Sequence, residues 1–144
     1  MLTCLELTRV LRSSGYKVTP QRIAVYEELT KEAWHPSAEM LYERVVKRYP
    51  SMSLATVYKT MEILSKVRVI RVLSTPEASL RYDGDISDHA HCQCALCNNI
   101  VDIWFDKDEL TRAVESKTDY TVTSKELYFF GICPSCRNAA NKSH

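Results

Sequence analysis

A chain of 144 residues that is 45% hydrophobic and 26% charged has room for one large domain or two small ones, each with a modest core. No apolar run approaches the roughly 20 residues of a bilayer span, and residues 1–15 mix charge into their apolar pattern too early for a secretory signal, so a cytoplasmic protein without a membrane partner is expected. The net charge of +1 conceals an asymmetry: residues 1–80 carry twelve Lys/Arg against eight Asp/Glu, and residues 81–144 carry seven against ten. A basic first part suits a polyanion, and an acidic second part suits cations.

The first part reads as helices. Leu2, Leu5, Val10 and Leu11 form an apolar pattern that Gly15 can stop. Thr19 is an N-cap with Pro20 at the first helical position, and Ile23, Tyr26 and Leu29 follow at helical spacing. After the break at 34–37, Ser37 caps a third helix through Tyr49, with Met40, Leu41, Val45 and Val46 inward and Pro50 just beyond. Ser53 starts a fourth helix. Its Leu54, Val57, Met61 and Leu64 point to the core, and Ala55, Thr56, Tyr58, Lys59 and Glu62 lie mainly on the rest of its surface. Two β-rich runs at 69–74 and 79–83, joined by residues 75–78, complete a winged helix-turn-helix pattern.

The second part begins near residues 80–86. Short strands at 89–94 and 99–105 precede a helix near 107–116, a β-rich run at 120–132 and a short last helix. Such a small α+β unit lacks a large core, and a structural metal would supply what is missing.

Six cysteines in a chain with no export signal are expected as thiols, metal ligands or redox centres, not disulfides. Cys94 and Cys97, with Cys133 and Cys136, form two C-x-x-C pairs. Two tight turns presenting four thiolates suit a tetrahedral structural Zn²⁺. Cys92 is a strand-position thiol beside the site, a spare ligand or part of a redox switch. Cys4 reads as a small apolar residue.

With the cysteines spent on zinc, His89 and His91 remain, two apart and therefore on one face of a strand. Asp83, Asp85, Asp88 and Asp102 lie near in sequence. Imidazole with carboxylate suits iron, manganese or zinc, and the alternative is a solvated polar hairpin. His35, before Pro36, reads by itself as a turn residue.

The run "TPQR" at 19–22, the stretch "HPSAEMLYERVVKRYPSMSLATVYKTMEIL" at 35–64, "RYD" at 81–83, "HAHCQCALCNNIVD" at 89–102 and "CPSC" at 133–136 together resemble the ferric uptake regulator family across nearly the whole chain. The resemblance implies a homodimeric, metal-dependent repressor of α+β class. Its winged-helix DNA-binding domain would span residues 1–80 and a hinge residues 81–86. A small α/β dimerisation domain with the structural zinc would span 87–144. It implies a regulatory Fe²⁺ or Mn²⁺ held by His35, Asp83, His89, His91 and Asp102, clamping the two parts in one orientation.

Aspartate at position 102 resembles the peroxide-sensing branch, where iron-uptake members often have glutamate. Bound Fe²⁺ would then reduce peroxide and leave an added oxygen on His35 or His89, with loss of metal and release of the operator. Two departures from the family pattern stand out. Asn98 replaces a glycine after the first C-x-x-C and tolerates the same left-handed turn. Helix four ends without its usual glycine, so Arg68 or a neighbour must take that turn.

By fold and resemblance the fourth helix is the recognition helix. Ser53, Ala55, Thr56, Tyr58 and Lys59 would meet double-stranded DNA, and Lys17 and Arg22 are candidates for phosphate contacts. A dimer would read a roughly palindromic operator. An enzyme is not expected: a zinc deaminase needs H-x-E with P-C-x-x-C, and a closed four-cysteine zinc leaves no position for a reactive water. Two rival readings are a thiol switch using Cys92, Cys94 and Cys97, and a regulator responding to iron, manganese or zinc supply.

Overall fold

The computed structural model describes residues 1–75, 80–104, 106 and 108–142. Most of the expected turn at 75–78, Phe105 and Lys107 lie outside them. The chain divides into two compact units, Met1–Ser87 and Asp88–His144. Among the described residues no helix is long and apolar enough to cross a membrane.

The first unit consists of α1 (Cys4–Ser13), α2 (Pro20–Thr30), α3 (Ala38–Arg48), α4 (Leu54–Lys66), β1 (Arg71–Leu73) and β2 (Arg81–Asp83). Each helix opens on a hydroxyl that accepts a backbone N–H. Thr3 forms a full capping box with Glu6, and Thr19, Ser37 and Ser53 receive Arg22, Met40 and Thr56 at 3.3, 3.3 and 3.1 Å. Each such cap is worth about 1 kcal/mol. Leu7, Leu11, Val25, Leu29, Leu41, Val57, Met61 and Leu64 are fully enclosed at the centre.

Three inward assignments shift, and one of them, Val46 in α3, is half-buried. Met40 is exposed because the buried stripe of α3 runs through Ala38, Leu41 and Val45. Leu54, in the first turn of α4, is half-buried, while Thr60 and Ile63 turn inward. After α4 the chain takes the left-handed conformation at Arg68 (φ 58°), the turn that the missing glycine demanded. β1 and β2 then pair antiparallel, Val72 opposite Tyr82.

The second unit is built on β3 (Ala90–Cys94), flanked by antiparallel β4 (Ile100–Ile103) and parallel β5 (Tyr128–Gly131), with α5 (Asp108–Glu115) and α6 (Pro134–Lys142). Only the end of the β-rich run at 120–132 becomes strand. Its one partner, β3, offers registered positions from His91 to Cys94 alone. Upstream, side chains hold the segment instead: Lys125 Nζ donates to Thr111 Oγ1 at 2.7 Å and Glu115 Oε1 accepts from the Val122 N–H at 2.9 Å. The buried apolar residues of this unit are Ala90, Cys94 and Ile100, among the described residues. Its core is small, as the sequence suggested.

Candidate metal centres and DNA-facing helix

The first C-x-x-C pair closes the β3–β4 hairpin. Asn98 adopts φ 63° and its N–H donates to the Cys94 carbonyl at 2.9 Å, so asparagine takes the left-handed position open to glycine. The second pair is not a free turn: α6 begins at Pro134, so Cys133 and Cys136 span the strand-to-helix junction. The four sulfurs lie within 4.8 Å of one another, and Cys97 Sγ stands 3.7 Å from Cys133 Sγ. A tetrahedron with bonds of about 2.3 Å has edges of about 3.8 Å, so the set fits Zn²⁺.

Electrostatics prepare the same set. Backbone N–H groups of Cys133 (3.3 Å), Cys97 and Leu96 converge on Cys94 Sγ and lower its thiol to about 6. Hydrogen bonds with the Cys133 and Cys97 sulfurs push Cys136 up to about 12, the effect of crowding thiolates that a divalent cation reverses. Zinc held by these sulfurs would tie the end of β5 and the start of α6 to the β3–β4 hairpin.

On the other face of the sheet, His91 in β3 pairs in register with Asp102 in β4, and His89 precedes β3 by one residue. His89 Nε2 lies 3.0 Å from His91 Nε2 and 3.3 Å from Asp102 Oδ1, and His91 Nε2 lies 3.6 Å from that same oxygen. Adjacent ligands at bonds of about 2.1 Å stand roughly 3.0–3.4 Å apart, so two of these separations match one coordination sphere and the third, 3.6 Å, is slightly longer. Two nitrogens with a carboxylate fit Fe²⁺ or Mn²⁺ better than a thiolate-seeking ion. Trp104 and Tyr128 frame the imidazoles, with ring centroids 4.8 Å from His89 and 5.6 Å from His91. Neither carried a signal in the sequence beyond being aromatic in an apolar run.

The remaining two predicted ligands meet within the first unit. His35 Nε2 is 3.9 Å from Asp83 Oδ1, and both residues are buried. His35 looked like an isolated turn residue because its neighbour, β2, lies 46 positions away along the chain.

Of the predicted DNA contacts, Lys17, Ser53, Ala55, Tyr58 and Lys59 are exposed, whereas Arg22 and Thr56 are half-buried. Arg22, Ala55, Thr56 and Lys59 line one groove with Thr19, so the starts of α2 and α4 share a face. Lys17 joins them through its carbonyl, which accepts from Arg22 Nη1. Two of the side chains have other work: Ser53 Oγ caps α4, and Tyr58 donates its hydroxyl to Glu39. Lys59 is paired with Glu62 at 2.9 Å.

The model of the ferric uptake regulator family matches residues 13–130. The chain belongs to the ferric uptake regulator family. Transcriptional regulator PerR of Clostridium acetobutylicum is 43% identical to it over 136 residues, covering 94% of this chain and 99% of that one. The peroxide operon regulator of Bacillus subtilis is 32% identical over 137 residues, 94% of each chain. The ferric uptake regulator Fur of Helicobacter pylori shares the fold at a TM-score of 0.83, with 24% identity over 92% of this chain and 90% of that one. This family member is therefore a metal-responsive transcription regulator, with a family-level expectation of DNA binding as a dimer. It is a two-domain α+β protein with a structural Zn²⁺ and a regulatory Fe²⁺ or Mn²⁺, and its four cysteines and its histidine and carboxylate donors form two groups that could hold them.

Proposed function

We propose that the protein is a peroxide-sensing repressor, a homodimer that binds a roughly palindromic operator in the cytoplasm and releases it when a histidine ligand is oxidised. The regulatory metal draws His35 and Asp83 from the winged-helix domain (1–80) and hinge (81–86), and His89, His91 and Asp102 from the dimerisation domain (87–144). The carrying observation is the convergence of His89, His91 and Asp102 at 3.0–3.6 Å, a nitrogen-rich donor set. Relatives named for peroxide response, and aspartate at position 102, support this branch over iron uptake. Support for the dimer comes from α5, which buries none of its residues and leaves Leu110 and Val114 exposed.

Fe²⁺ held by His35, Asp83, His89, His91 and Asp102 would supply the reducing chemistry that opens the O–O bond of peroxide beside these ligands. The net change is balanced: one peroxide oxygen replaces the hydrogen of an imidazole ring carbon at His35 or His89, and the other leaves as water. The ring is oxidised by two electrons and peroxide is reduced. An oxidised ring is a poorer donor, so the ligand set weakens and the domains lose their metal tie. The face formed by Lys17, Arg22, Ser53, Ala55, Thr56, Tyr58 and Lys59 then no longer fits two half-sites together.

The test loads the protein with Fe²⁺ under anaerobic conditions, adds equimolar peroxide and maps peptides by mass spectrometry. One added oxygen on the His35 or His89 peptide, with zinc retained, is expected, and none when Mn²⁺ replaces Fe²⁺. Intact histidines with oxidised Cys94 or Cys97 would move the sensor to the thiols. No modification at all would leave a regulator of metal supply.

A further inference from the structure

The segment that carries His35 is held by three consecutive residues of β2. Arg81 Nε donates to the His35 carbonyl oxygen at 2.6 Å, and the Tyr82 backbone N–H donates to the Pro36 carbonyl at 2.9 Å. Asp83, next in line, brings its carboxylate to 3.9 Å from His35 Nε2. Pro36 has no N–H and restricts His35 to extended backbone. The carbonyls are therefore the handles by which the rest of the first unit grips this segment, and β2 takes two in a row.

The surroundings leave that grip little slack. Trp34 Nε1 donates to the Leu29 carbonyl at 3.1 Å, and the Arg44 guanidinium covers the Trp34 ring at 3.7 Å. Beyond Asp83, a Cβ on Gly84 would come to 2.9 Å from Thr30 Cγ2 and 3.4 Å from Leu29 Cγ, so the chain passes too close to the end of α2 for a side chain. His35 and Asp83 are thus fixed by partners that touch no metal. Of the two clasping bonds, only the one from Arg81 can be removed by changing a side chain.

We infer that Arg81 is a positioning residue for the regulatory metal: its Nε–H holds the His35 backbone so that the imidazole and the Asp83 carboxylate stay poised for one ion. This rests on the metal reading above. Removing an outer partner of a metal ligand typically costs 10–100-fold in affinity. The Arg81 bond is short, half-buried and charge-assisted, which places it within that range.

The experiment is a Mn²⁺ titration, followed by paramagnetic resonance, of the full-length zinc-loaded protein as wild type, Arg81→Met, Arg81→Lys, His35→Ala and the His35→Ala/Arg81→Met double variant. Arg81→Met should weaken Mn²⁺ binding at least about tenfold, with zinc content and thermal unfolding unchanged. Arg81→Lys keeps the charge and the stem but has no donor at the Nε position, so it should lose a similar factor. The double variant should bind no more weakly than His35→Ala alone, because Arg81 acts through His35. Undiminished binding in Arg81→Lys and Arg81→Met would overturn the proposal, as would a further loss in the double variant. If Arg81→Met fails to fold, the same criteria pass to Arg81→Lys. A zinc-loaded wild type that takes up no second ion would overturn the metal reading itself, and this proposal with it.

Discussion

Zinc removal should unfold the second unit and spare the first. Among the described residues, the second unit encloses only Ala90, Cys94 and Ile100 as apolar core, and Ile100 alone is large. Full burial of one such side chain stabilises by about 1.5–3 kcal/mol. A structural zinc on thiolates contributes about 10–16 kcal/mol near neutral pH, comparable to the whole stability of an ordinary domain. Val114, Phe129 and Phe130 are exposed and add nothing to the core of the protomer. The perturbation is a competing chelator under reducing conditions, and the assay is hydrogen exchange read by mass spectrometry. Amides of β3, β4 and β5 should exchange like an unfolded chain, while those of α2 and α4 keep their protection. Persistent protection of the β3–β4 hairpin in demonstrably zinc-free protein would refute the reasoning.

Three further outcomes follow from the first unit. Leu64→Ala, at a fully enclosed site in α4, should lower stability by about 2–5 kcal/mol in urea unfolding, with little change in the zinc content of the second unit. Arg68→Gly should stabilise by up to about 1 kcal/mol, since φ 58° strains a residue with a Cβ; a destabilised variant would show that the Arg68 side chain matters more than its backbone. Lys59→Ala should weaken operator binding and lower the slope of log affinity against log salt by about 1, as for one lost phosphate contact. An unchanged slope in gel-shift titrations would mean that the Glu62 pair keeps Lys59 from DNA.

Local chemistry was the legible part of this chain. Thr19, Ser37 and Ser53 announced helix starts because a hydroxyl before an apolar pattern has one favourable use, and all three cap as expected. The left-handed turn at Arg68 or a neighbour was implied by the family resemblance, through the glycine this chain lacks there, and Arg68 takes it. The four cysteines were legible because spacing alone brings each pair together. What stayed hidden depends on distant segments. The residues at 120–127 have strand-forming side chains but no registered partner on β3, so propensity lost to topology. Thr60 turned inward because the packing of α4 enclosed it, which periodicity scored on apolar residues cannot report. His35 met Asp83 only once β2 lay against Pro36, and Arg81 carried no mark of its role beyond its place in that strand.

Strand β3 alternates its donors, with His91 facing one side of the sheet and Cys94 the other, separated only by Cys92 and Gln93. A single run of backbone therefore carries donors for both sites, and if the second unit unfolds without zinc, the two sites must assemble in a fixed order. The histidines and Asp102 would then come together only after the cysteines had closed around their ion, whereas the cysteine site takes no ligand from the histidines. Three species follow: bare, zinc alone, and both. The fourth, a sensing ion without zinc, has no scaffold to occupy. On that prediction, a chelator strong enough to take zinc should also abolish binding of the regulatory ion, whichever ion it prefers.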